Sequence, residues 1–278
     1  MLSSAILFLC GLAIGSFVNV LALRYDGGHF LFDPKAIGGR SHCPHCGRTL
    51  GWSELIPVAS FFVQRGKCKH CGAPIGLHYP LVELLSGLVF VFVPLWLGEN
   101  FFLSALWIAA FEALLLVAYI DIRLQIVPDE LNGMLVIIAI LAAIFSVGYL
   151  GPANHSFLGP YAAPFGLQNS FWASHLAGAL FGGAFFGVLV LITRGKGMGV
   201  GDVKLGLALG LLFGWPDILL LYGSAFVIGA LVGVALLLEK KKTMKSALPF
   251  APFLALGAAS IFFFGAAALG WYFRIIGL

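Results

Sequence analysis

Charge is scarce in this chain. Sixteen Lys and Arg and twelve Asp and Glu make up ten per cent of 278 residues. A soluble globular domain carries about a quarter charged residues, so that class is excluded. No basic stretch precedes the first apolar run, Leu2 to Leu23, and no small-residue cleavage site follows it before a polar insert begins. The run is therefore expected to stay as a helix and not to leave as a signal peptide. No internal repeat and no low-complexity tract is present, which removes solenoids and disordered tails. The stretch 151–172 contains no Lys or Arg at all.

What fills the chain is apolar: 60 % of the residues, with 36 glycines among the remainder. About 20 helical residues cross a hydrocarbon core of about 30 Å. Runs of that kind recur at 2–23, 80–98, 101–121, 131–150, 173–193, 203–215, 217–239 and 248–272. The expectation is an all-α polytopic membrane protein of about eight transmembrane helices. The sixth run is short and ends at Pro216. Fifteen of the sixteen basic residues fall in one set of loops and only Arg274 lies outside it. Lys and Arg are retained in cytoplasmic loops, so the amino terminus and the 151–172 loop are expected outside, in the manner of a bacterial inner-membrane protein. Topology thus explains the net charge of +4 without nucleic acid, the bilayer being the partner.

Three regions are expected: a first transmembrane helix at 1–23, a small cytoplasmic domain at 24–79, and a membrane body at 80–278. The insert, about 55 residues, is too small to bury much apolar core and needs a metal or the membrane body to hold it. It contains Cys43-Pro-His-Cys46 and Cys68-Lys-His-Cys71, with 21 residues between the pairs. Two Cys-x-x-Cys knuckles at about this separation supply four thiolates to one tetrahedral Zn²⁺, giving a zinc-ribbon-like insert. A four-cysteine shell leaves no open coordination position, so the role expected of the ion is structural. The nearby His42, His45, His70 and His78 read as solvated knuckle residues, and Cys10 as a small core residue of the first span.

An ionisable residue at membrane depth costs several kcal/mol unless it faces protein or water, which makes each one a functional candidate. Glu83 and Glu112 lie within spans two and three, Asp121 closes span three, Asp129 and Glu130 open span four after Pro128, and Asp202 opens span six. The charge pattern puts Asp121, Asp129, Glu130 and Asp202 near one face, where they can form one site. Asp129 and Glu130 also suit an ordinary first helical turn. Asp202 follows a glycine-rich turn, Gly197-Met-Gly-Val-Gly201, where a capping aspartate would look similar. Nucleotide binding fits that turn poorly, for no strand-turn-helix unit surrounds it.

Gly199-Val-Gly-Asp202 resembles the Gly-x-Gly-Asp signature of intramembrane aspartyl proteases, and Asp202-Val-Lys204-Leu continues as in bacterial type IV prepilin peptidases. Gly15-Ser-Phe-Val-Asn19-Val, the paired knuckles and His78-Tyr-Pro-Leu-Val-Glu83 resemble that family's amino-terminal part, in the same order. Arg24-Tyr-Asp departs from it, the family more often having a proline soon after the arginine. The resemblance implies catalytic Asp121 and Asp202, with Gly199, Gly201, Asp129, Lys204 and Glu83 in supporting roles. It implies type IV prepilin or pseudopilin substrates, cut after a short basic leader at the cytoplasmic membrane face. It also implies methylation of the new amino terminus with S-adenosylmethionine, to be sought in the amino-terminal domain and at Glu83. Asp202, at a helix start, is expected to be the more acidic of the pair. An ion-coupled carrier and a membrane scaffold are the rival readings. Carrier sites, however, lie near the midplane, and here the aspartates gather at one face.

Overall fold

Gly11, Gly15 and Asn19 stand four residues apart, so a helix places them on one face. The computed structural model shows what that face meets. It describes residues 2–98, 100–150, 156–165, 167, 170–195, 197–239 and 248–275. Among them every regular element is helical, and the chain divides into two compact units, Met1–Ser104 and Ala105–Leu278.

In the first unit α1 (Leu2–Arg24) precedes two short helices of the insert, α2 (Pro34–Ile37) and α3 (Ala59–Val63), and α4 (His78–Leu97) returns along α1. The glycine face of α1 is the contact. A β-carbon on Gly11 would come within 2.7 Å of the Gly87 Cα, and one on Gly15 within 2.7 Å of the Glu83 Cα. Ser86 Oγ donates to the Gly11 carbonyl at 2.6 Å, and Asn19 Nδ2 to the Tyr79 carbonyl at 3.1 Å. Small residues and short polar bonds are what join helices in lipid, where apolar burial drives nothing. Arg24, at the end of α1, donates to the carbonyls of Ile37 and Gly38 at 2.9 and 2.6 Å and so fixes the loop that lacks the proline.

The second unit contains α5 (Phe101–Leu124, entered just before the division), α6 (Asp129–Leu150), α7 (Phe171–Thr193), α8 (Val200–Phe213), α9 (Asp217–Leu238) and α10 (Ala251–Ile275). α8 is its centre, packed most extensively on α7 and next on α6. The α7–α8 contact is again glycine on glycine: a β-carbon on Gly210 would overlap the Gly178 carbonyl, and one on Gly182 that of Gly206. Trp107, Phe111, Phe157, Phe213 and Phe262 form an aromatic cluster with centroids 4.6–6.0 Å apart. Each such pair adds about 0.5–1.5 kcal/mol beyond burial.

Seven described helices are long and apolar enough to span a membrane, one fewer than expected. The exception is α8, whose 14 residues reach about 21 Å at 1.5 Å per residue. Its far end is covered by the segment after residue 155, which the sequence suggests is a loose connection. Ser156 Oγ and the Phe157 N–H (2.7 Å) both donate to the Asp217 carboxylate, and Leu158 is fully buried. Lys196, Lys240, Lys241, Lys242 and Lys245, which carry part of the orientation argument, lie outside the described residues, as do residues 151–155 of the loop. Cys10 is exposed, on the outer surface of α1 and not in a core, because its face of the helix is not the glycine face.

Candidate active site

Asp121 is in the last turn of α5, buried at 5 % exposure, and its Oδ2 accepts the N–H of Ala251 at 3.0 Å. Ala251 is the first residue of α10, so Asp121 is held by the amino end of another helix. Asp202 is in the first turn of α8, half-buried, and its Oδ2 accepts the Gly199 N–H at 3.2 Å. The two carboxylates lie within electrostatic reach of each other. Each therefore receives a helix amino terminus, and the dipole that was to make Asp202 the more acidic acts on Asp121 as well. The sequence held no sign of the Ala251 contact, 130 residues away, beyond Pro252 one position into the new helix.

Two further contacts join the strands of chain that present the aspartates. A β-carbon on Gly201 would stand 2.9 Å from the Val127 Cβ, so the turn after α5 and the first turn of α8 touch at a point that favours glycine. Gly199 is different. Its φ of −86° suits any residue, and the nearest atom to an added β-carbon is 3.8 Å away. The space before it is open. Lys204 Nζ meets both Asp129 oxygens at 2.7 Å and ties the start of α6 to the start of α8. The pair is exposed, 47 % and 70 %, in contrast to buried Asp121. Glu112 is buried within α5.

In the first unit the four sulfurs of Cys43, Cys46, Cys68 and Cys71 lie within 4.8 Å of one another, and Cys43 Sγ is 3.9 Å from Cys71 Sγ. A tetrahedron with Zn–S bonds of ~2.3 Å has edges of about 3.8 Å, so the four could hold a metal with little adjustment. The knuckles are built alike. The Cys43 N–H donates to the Arg48 carbonyl and the Gly47 N–H to that of Cys43, a pattern repeated by Cys68, Ala73 and Gly72. Gly47 and Gly72 both have φ +69°, the left-handed turn that closes each knuckle. The N–H groups of Cys71 and His70 hold the Cys68 thiol down at about 7. The Ala73 N–H pulls the Cys71 thiol the same way, but desolvation and the sulfurs of Cys68, Cys46 and Cys43 win and push it up to about 11.

Glu83 is remote from this cluster's sulfurs in role but shares a cavity with it. The cavity, about 570 Å³, is lined by Ser16, Asn19, Cys43, Cys68, Tyr79 and Glu83, among others. Glu83 is buried, accepts the Val58 N–H at 2.7 Å, and is also bonded to the Ser16 side chain.

Residues 9–97 match the family described as the bacterial peptidase A24 N-terminal domain, and residues 105–234 match the type IV leader peptidase family. A protein of Bacillus subtilis (strain 168) named prepilin leader peptidase/N-methyltransferase is 31 % identical over 271 residues, covering 98 % of each chain. A protein of that name from Burkholderia pseudomallei (strain K96243) is 34 % identical over 92 % of this chain and 83 % of its own, and one from Aeromonas hydrophila 28 % identical over 96 % and 93 %. No solved structure matches.

Proposed function

The chain belongs to the type IV leader peptidase family, and we propose that it is an aspartic endopeptidase that removes the leader from type IV prepilins and pseudopilins, with Asp121 and Asp202 as its catalytic pair. The observation that carries this is the meeting of two acids 81 positions apart in sequence, each on its own helix, each fixed by a backbone amide, and within electrostatic reach of one another. Two carboxylates held close do not both ionise cheaply, so the pair retains one proton. The ionised member removes a proton from water as its oxygen attacks the scissile carbonyl, while the protonated member polarises that carbonyl. The proton then passes to the leaving amine, and no covalent intermediate forms. Which aspartate takes which part belongs to the pair, since both titrate as a unit. The open space at Gly199 gives an extended substrate room to lie against the backbone, and Gly201, Asp129 and Lys204 keep the two aspartate turns together.

The protein sits in the bacterial inner membrane with its amino terminus outside and both the insert and the aspartates on the cytoplasmic side, as the one-sided basic loops support. The cysteines hold a structural Zn²⁺, which the sulfur separations favour. The relatives' shared name supports a second activity, methylation of the amino terminus freed by cleavage. S-adenosylmethionine, when bound, supplies the electrophilic methyl group. The cavity of the first unit fits such a molecule in size, and Ser16, Asn19 and Glu83 are among the polar residues that line it.

The test is cleavage of a prepilin-like substrate in liposomes by wild type, Asp121→Asn and Asp202→Asn, with melting measured for each. Both variants are expected to lose at least about a thousandfold in rate while remaining folded. Equal cleavage by all three would move the carrier and scaffold readings ahead.

A further inference from the structure

We propose that α3 and the turn before it form a docking surface for anionic phospholipid, by which the insert lies against the bilayer that α1 and α4 cross. The short helix is inverted relative to one that faces water. Its Ser60 and Phe61, with Gln64 just beyond, line the cavity of the first unit. Ala59, Phe62 and Val63 fall on the opposite side, since residues three and four apart share a helix face. Phe62 and Val63 are 67 % and 75 % exposed. The turn Trp52–Glu54 packs against α3 and adds Trp52, 81 % exposed, and Leu55 and Ile56 are exposed between the two. So much bare aromatic and aliphatic surface outside the spanning helices marks a face that meets something other than water.

Depth and charge say what it meets. Val58, the residue before α3, gives its N–H to Glu83 Oε2 at 2.7 Å. Glu83 is five residues past the start of α4, about 7.5 Å along it at ~1.5 Å per residue. The 20 residues of α4 reach about 30 Å, the thickness of the hydrocarbon core, so its first residue stands near the core's edge. α3 therefore begins beside the span and not above it, within the about 5–10 Å over which interfacial helices sink their apolar faces. Leu81 and Leu85 are the exposed, lipid-facing side chains of these same turns of α4. A soluble partner would have to displace lipid to reach that level.

The charges fit the same occupant. Between Glu54 and Glu83 the chain carries Arg65, Lys67 and Lys69 and no acid, and all three are exposed. Apolar side chains followed directly by cations match acyl chains beneath a layer of phosphates, with the long basic side chains reaching outward to the headgroups. α3 then has lipid on one side and the cavity on the other, so the composition of the bilayer is felt where Ser60, Phe61 and Gln64 line that cavity.

The test uses the full-length protein in nanodiscs of phosphatidylcholine alone and of phosphatidylcholine mixed with phosphatidylglycerol. Trypsin cleavage of wild type after Arg65, Lys67 and Lys69 is expected to be at least about tenfold slower in the anionic discs, a difference that shrinks at high salt. Phe62→Gln with Val63→Gln, which alters only exposed side chains, is expected to lose most of that protection with melting unchanged. The photoreactive p-benzoylphenylalanine placed at position 62 is expected to form its adduct with phospholipid in the anionic discs. Equal cleavage of wild type in the two kinds of disc overturns the proposal without any variant having to fold. An adduct with polypeptide in place of lipid, whether the same chain or a second copy, overturns it as well and identifies what covers the face instead.

Discussion

The two units are held by different means. In the first, the insert between α1 and α4 gathers four sulfurs that could hold a metal from two knuckles, each closed by its own short-range hydrogen bonds and a left-handed glycine. In the second, α8 is held by backbone touching backbone, Gly178 against Gly210 and Gly182 against Gly206. With the proposed Zn²⁺ bound there, chemistry placed on that loop could be dissolved by removing one ion. Chemistry placed on glycine-packed helices is immune to that and is vulnerable instead to a single added carbon.

Removing the proposed metal should give the largest effect and should be confined to one side of the comparison. Structural zinc sites contribute about 10 kcal/mol or more to the fold that binds them. A strong chelator, or Cys68→Ser, is expected to open residues 24–77 to protease by orders of magnitude while α5–α10 remain intact on the same gel. Equal loss of both would erase the distinction. Next in size is Gly210→Val, where the new side chain overlaps the Gly178 backbone and neither neighbour has a rotamer to turn aside. A cost above about 4 kcal/mol is expected, seen as loss of the second unit's thermal transition with metal retention unchanged. The smallest effect belongs to Asp129→Asn. Its ion pair with Lys204 is exposed on both sides, and such pairs contribute about 0.2–1 kcal/mol. Leader cleavage should fall only a few fold, and a double-mutant cycle with Lys204→Met should return a coupling below about 1 kcal/mol.

Legibility in the sequence follows the same division. The knuckles could be read directly, for all four ligands sit in two short segments and spacing alone implies the geometry. The aspartates could be named but not their partners: the amide that holds Asp121 comes from Ala251, 130 positions on. Pro128-Asp129 and Pro216-Asp217 look alike as letters, each a proline and an acid before an apolar run. In the fold Asp129 stands in the open while Asp217 is 0 % exposed and grips Ser156 and Phe157, a role that only the returning loop reveals. The sixth run, short already in the sequence, falls below a full span for the same reason. An apolar run records that a segment is buried, not that lipid buries it, and the far end of α8 is covered by that loop. Glycine gave a similar ambiguity, since Gly199 and Gly201 belong to one motif although only Gly201 is forced by a neighbour.

The contact of Gly201 with Val127 has a hereditary side. A residue with a β-carbon can enter at 201 only if the β-carbon at 127 has first gone, with glycine in place of the valine, or the two turns must part and separate the aspartates with them. The two turns are thus inherited as a unit, however far apart they lie in the gene. A chimaera that takes one aspartate turn from a relative and leaves the other behind imports half of a matched surface.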